Sequence, residues 1–179
     1  MIRADEVYKI GMLTKPHGVR GEIAFSFTDD IFDRVECDYL ICKMDGILVP
    51  FFLEDYRFKN NSVALVKFED VDTAEQARRF TNVEVYFPSH LAQDVPQDEL
   101  TWNYFVGFEV DEVHEGHLGT VTAVDDSTVN TLFVIDHGGK ELLVPAHEEF
   151  ICQIDHEARH ITLQLPHGLL DLTQVERVD

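Results

Sequence analysis

The chain has 179 residues, 45% of them hydrophobic, and 14 Lys/Arg against 34 Asp/Glu give a formal net charge of −20. That length suits one large or two small domains with a buried core. There is no apolar run of about 18 residues to span a membrane, and no apolar signal region follows Met1. Cys37, Cys42 and Cys152 are odd in number and lack Cys-x-x-Cys spacing, which argues against a disulfide framework or structural zinc and for reduced thiols in a cytoplasm.

Short strands are expected at 6–13, 22–28, 38–43, 47–58, 62–68 and 83–87. Between the first two lies Gly-Met-Leu-Thr-Lys-Pro-His-Gly-Val-Arg-Gly-Glu, residues 11–22, with three glycines and a proline. Such a segment reads as a rigid exposed loop, and loops of this kind carry function more often than packing. Asp45-Gly46 and Asn60-Asn61 mark two hairpins. One helix is expected over 72–80, where Thr73 and Gln76 have capping-box spacing and Arg78 and Arg79 suit the last turn. Asn82 ends it. Many short strands with little helix predict a closed barrel, since closure removes exposed edges.

Residues 88–101 break the alternation with two prolines and a polar run. The expected division is therefore a first domain at 1–88, a linker at 89–101 and a second domain at 102–179. Strands restart at 103–114, 117–125, 131–136 and 140–144, with a helical turn at 146–152, a turn at 155–158 and a last strand at 160–165. The fold class is all-β, in two β domains with few short helices.

Charge is unevenly spread. Residues 1–90 hold 11 Lys/Arg against 16 Asp/Glu, while residues 91–179 hold only Lys140, Arg159 and Arg177 against 18 Asp/Glu. An acidic half of this kind does not grip a phosphate backbone. It can attract a basic protein and speed the encounter.

Lys15, His17 and Arg20 form the densest basic spot beside glycines, suited to phosphates or an acidic surface. Catalysis by His17 needs a nucleophile and an orienting partner, and Thr14, Ser26 and Glu22 give no recognisable order. His114 with His117, and His156 with His160, read as exposed turn residues and not as metal ligands. Phe25, Phe27, Phe51, Phe52, Phe58 and Phe68 alternate as barrel core and not as an RNA-stacking set.

Gly11, Pro16, His17, Gly18, Val19, Arg20, Gly21 and Glu22 resemble the N-terminal signature of the RimM family of bacterial ribosome maturation factors. Leu165-Pro166-His167-Gly168-Leu169-Leu170, followed by Asp171-Leu172, resembles the family's closing Leu-Pro-Glu-Gly-Leu-Leu, with His167 in the Glu position. The resemblance implies an N-terminal barrel like those of translation factors and a C-terminal PRC-type barrel. It implies a cytoplasmic assembly factor, without cofactor or enzymatic activity, that binds the immature small ribosomal subunit, its rRNA and a basic ribosomal protein of the subunit head. Lys15, Pro16, His17, Gly18, Arg20 and Gly21 are the expected subunit and rRNA contact. The expected apolar anchors of the protein contact are Leu100, Trp102, Tyr104 and Phe150. Where the family usually has two tyrosines before the tryptophan, this chain has Leu100 and Thr101. A monomer is expected. The alternative is a stand-alone β-barrel module that docks a basic partner outside ribosome assembly.

Overall fold

The computed structural model describes residues 1–170, so Asp171, Leu172 and Arg177 lie outside the described residues. The chain forms two compact units, Met1–Val95 and a second that begins at Pro96. Both are built mainly from strands, as the sequence alternation predicts.

The first unit contains β1 (Val7–His17), β2 (Glu22–Phe27), α1 (Ile31–Arg34), β3 (Tyr39–Met44), β4 (Ile47–Phe58), β5 (Val63–Phe68), α2 (Ala74–Ala77), β6 (Val83–Pro88) and α3 (Ser89–Ala92). The strands follow the order β1-β2-β5-β4-β3-β6, and antiparallel pairing of β6 with β1 closes the barrel. Alternation sends Ile23, Phe25, Leu40, Val85 and Phe87 into the core. Met44 stands opposite Ile47 across the Asp45-Gly46 turn. The pairing of β1 with β2 shifts register between Leu13 and Pro16, which puts the proline where a ladder N–H is dispensable.

The capping box forms as expected. Gln76 N donates to Thr73 Oγ1 at 3.1 Å, and Thr73 N donates to Gln76 Oε1 at 3.2 Å. The expected helix is shorter than 72–80. It is one α turn, α2, followed by a 3₁₀ turn at Arg78–Phe80, and Asn82 follows with φ of 58°. Two phenylalanines also depart from expectation. Phe25, Phe27 and Phe68 are core, but Phe52 is 52% exposed and Phe58 45%. Both lie on β4: Phe51 and Phe52 are consecutive, so alternation turns Phe52 outward where Phe51 faces in, and Phe58 is the strand's last residue.

The second unit contains β7 (Glu109–Glu112), β8 (Gly116–Asp125), β9 (Leu132–His137), β10 (Lys140–Pro145), β11 (Ile151–Asp155) and β12 (His160–Leu163). They form one sheet in the order β10-β9-β8-β7-β12-β11, with β12 and β7 parallel. The strand expected at 103–114 is in fact a 3₁₀ turn at Trp102–Phe105 followed by β7. Packing explains the difference. A strand would point Tyr104 and Phe105 to opposite faces, whereas the turn lets Tyr104, Phe105 and Phe108 all be buried in mutual ring contact, with Phe105 also against Phe133. The turn expected at 146–152 is a 3₁₀ turn at Glu148–Phe150, and it leads into β11, which the alternation alone did not mark.

Candidate functional site

The motif at residues 11–22 forms the β1–β2 hairpin, with His17 paired opposite Glu22 and residues 18–21 as its tip. Lys15, His17, Gly18 and Arg20 are exposed, Pro16 is half-buried and Gly21 is buried. The glycines play different parts. Gly18 has φ of +66° and open space around it. Gly21 has φ of +90°, and a Cβ there would lie 1.8 Å from the carbonyl oxygen of Val71. The chain leaving the tip is thus pressed against the residues before α2, and only glycine fits.

Arg57 of β4 completes the base of the tip. Its Nε donates to Glu22 Oε1 at 3.3 Å and its Nη2 to Glu22 Oε2 at 3.1 Å. These bonds hold the Glu22 carboxyl below its usual range. Desolvation opposes them, and the charges of Arg57, His17 and Arg20 add to the fall. Lys15 and Arg20 form no salt bridge among the described residues. Two unpaired cations on a fixed backbone can meet an anionic surface without first breaking a protein contact. His17 has no hydrogen bond to Thr14, Ser26 or Glu22 among the described residues, and Thr14 Oγ1 donates instead to the Ala24 carbonyl.

In the second unit the four expected anchors separate. Leu100, Trp102 and Phe150 keep part of their surface open. Trp102 stacks edge-on against Phe133 with ring centroids 5.6 Å apart. Tyr104 is 1% exposed and its hydroxyl lies 2.8 Å from His156 Nδ1. The expectation of a surface contact at Tyr104 is corrected: the ring is core, and burial pushes its hydroxyl up to about 12 against the charge of Arg159. Arg159 is itself committed. Its Nη2 donates to the Val106 carbonyl at 2.8 Å, and its guanidinium lies 5.2 Å from the Phe108 ring centre.

Two polar features escaped the sequence reading. Asp111 of β7 lies between two histidines, 2.9 Å from His117 Nδ1 and 3.0 Å from His160 Nε2. These bonds, led by that of His117, lower the Asp111 carboxyl against its desolvation. The histidines are paired by sheet neighbours and not by sequence spacing, because parallel β12 lies beside β7. His160 is thus a half-buried strand residue and not an exposed turn residue as expected, while His156 does lie in the turn after β11, half-buried against the Tyr104 hydroxyl. Glu112, 4% exposed, accepts backbone N–H bonds from His114 at 2.6 Å, Glu115 at 2.7 Å and Leu165 at 3.2 Å. Burial pushes its carboxyl up, and the three donors outweigh that effect and hold it low.

Two family models match the chain, the RimM N-terminal domain over residues 8–92 and the RimM PRC barrel domain over residues 102–169. A protein of Phocaeicola vulgatus named ribosome maturation factor RimM is 60% identical over 172 residues, covering 95% of this chain and 100% of its own. A namesake from Bacteroides thetaiotaomicron is 60% identical over 177 residues, covering 98% of this chain and 99% of its own. A third, from Parabacteroides distasonis, is 49% identical over 174 residues, covering 96% of this chain and 100% of its own. The tip at Gly18–Gly21 and the aromatic turn at Trp102–Phe105 both fall inside the matched domains. The chain belongs to the RimM family.

Proposed function

We propose that the protein is a cytoplasmic ribosome maturation factor that acts by binding and not by catalysis. The first unit offers its hairpin tip, Lys15 to Gly21, to the immature small subunit and its rRNA. The second unit docks a basic ribosomal protein of the subunit head, with Leu100, Trp102 and Phe150 as apolar anchors. Residues 89–101 join the two as separate binding modules. The protein works as a monomer, and its effect on rRNA maturation comes from binding early and late particles with different affinity.

The observation that carries this reading is the division of charge. Free cations stand on a tip fixed by Gly21 against Val71 and by Arg57 on Glu22. The second unit has, among the described residues, only Lys140 and Arg159 as Lys or Arg, and Arg159 is tied to its own backbone. Phosphate recognition therefore belongs to one unit and recognition of a basic protein to the other. Sedimentation of cell extract tests the reading. The protein should travel with free small subunits and be absent from complete ribosomes. Absence from both would replace it with a stand-alone interaction module for a basic partner.

A further inference from the structure

The outer face of the second sheet carries a cross-strand row of carboxylates. Glu109 of β7 stands opposite Thr120 of β8, Thr120 opposite Asp136 of β9, and Asp136 opposite Glu141 of β10. Their neighbours Val110, Val121, Ile135 and Leu142 are buried, so alternation turns the row to the solvent side. The next rung is apolar. Val134 lies opposite both Ala123 and Leu143, and beyond it Leu132 lies opposite Pro145. Ala123 is exposed, and Val134, Leu143, Leu132 and Pro145 are half-buried. Strands β8, β9 and β10 thus display an apolar strip bordered by carboxylates.

Like charges directly opposite on antiparallel strands repel. Glu109 has relief, since Thr120 Oγ1 donates to it at 2.7 Å and His117 Nε2 lies 3.2 Å away. Asp136 accepts only a neutral turn bond, from Gly139 N at 2.9 Å. Neither Asp136 nor Glu141 pairs with a cation among the described residues. Lys140 is adjacent to Glu141 in sequence, but alternation points it to the other face. The face therefore holds uncompensated charge beside a half-open apolar strip, and a bound cation would relieve the repulsion that folding leaves in place.

We infer that the outer face of β8, β9 and β10 docks a basic protein segment. Its Lys or Arg side chains meet Asp136 and Glu141, and an apolar residue between them covers Val134 and Leu143. This inference rests on the protein-contact reading above and adds to its anchors a further face of the same unit. A nucleic-acid backbone does not fit, because the same carboxylates repel its phosphates.

The test is surface plasmon resonance of the full chain against purified basic proteins of the small-subunit head across a salt series. Asp136→Asn with Glu141→Gln should slow association about tenfold and flatten its salt dependence. Val134→Lys with Leu143→Lys should abolish binding. Glu115→Gln with Glu157→Gln, an equal loss of charge on exposed turns, should bind as the parent does. Circular dichroism checks folding, and the isosteric Asp136/Glu141 pair decides alone if the lysine pair fails to fold. If the parent binds and the face variants bind equally well, the face is wrong while the protein-contact reading stands. Equal losses in the control pair would reduce the effect to general acidity and also overturn the face. If the parent binds none of these proteins at low salt, the protein-contact reading fails and the face with it.

Discussion

Arg57 reaches from β4 to hold Glu22, the first residue of β2, with both guanidinium bonds on separate carboxylate oxygens. The pair fixes the base of the hairpin whose tip carries Lys15 and Arg20. Because the folded carboxyl lies below its unfolded value, its stabilisation is fully present above about pH 4.3 and is lost as the pH falls through the folded value. Thermal melts of the parent and of Glu22→Gln should therefore differ near neutral pH and converge as the pH falls below about 4.3. A gap that widens on acidification would contradict the assignment.

The two tip glycines should respond differently to the same change. Gly18→Ala meets no atom but must hold a left-handed backbone, costing about 1 to 2 kcal/mol. Gly21→Ala adds a collision with the Val71 carbonyl and should cost about 3 kcal/mol or more. Urea unfolding of both variants checks the order. Equal costs would mean that the backbone near Val71 yields freely.

Glu112 ties the β7–β8 turn to the segment after β12 through three backbone donors. Glu112→Ala leaves the buried Leu165 N–H and two part-buried turn N–H groups unpaired and should cost about 2 kcal/mol in urea unfolding at neutral pH. The folded carboxyl is held low, so the contribution exists above the unfolded value and fades as the pH falls below about 4.3. The difference between parent and variant should shrink in acid. A loss that did not vary with pH would show that the side chain acts by packing alone.

Much of the first unit was readable because its signals are local. Asp45-Gly46 and the Thr73–Gln76 spacing specify backbone geometry within four residues, and both appear as expected. The second unit was less readable where tertiary packing overrode period-2 alternation. Tyr104 and Phe105 have the composition of a strand, yet only a 3₁₀ turn buries both rings. Strand β11 is short and lies at the end of the sheet, so little of its pattern reaches the sequence. The Asp111, His117 and His160 cluster was hidden because parallel pairing of β7 with β12 joins residues far apart in the chain. The hairpin tip was legible as a loop, but its Arg57 anchor, 35 residues from Glu22, was not.

Tyr104 and Trp102 should part company when each is changed. Tyr104→Phe removes the hydroxyl facing His156 and should lower stability by about 1 kcal/mol, with partner binding unchanged. Trp102→Ala loses ring contacts with Phe133 and Phe105, costing about 2 kcal/mol, and should also speed dissociation from the basic partner. Trp102 is the only tryptophan, so its fluorescence follows the unfolding of Tyr104→Phe, while circular dichroism and surface plasmon resonance follow Trp102→Ala. Dissociation that stays at the parent rate would make Trp102 a core residue only.

On the proposed function, the free cations of the hairpin tip grip the immature particle. Sedimentation of Lys15→Ala with Arg20→Ala against purified free small subunits tests it most directly. Both side chains are exposed and unpaired, so stability should change by no more than about 0.5 kcal/mol. The folded double variant should stay at the top of the gradient at a salt concentration where the parent travels with the subunits. Full cosedimentation of the double variant under those conditions would contradict it.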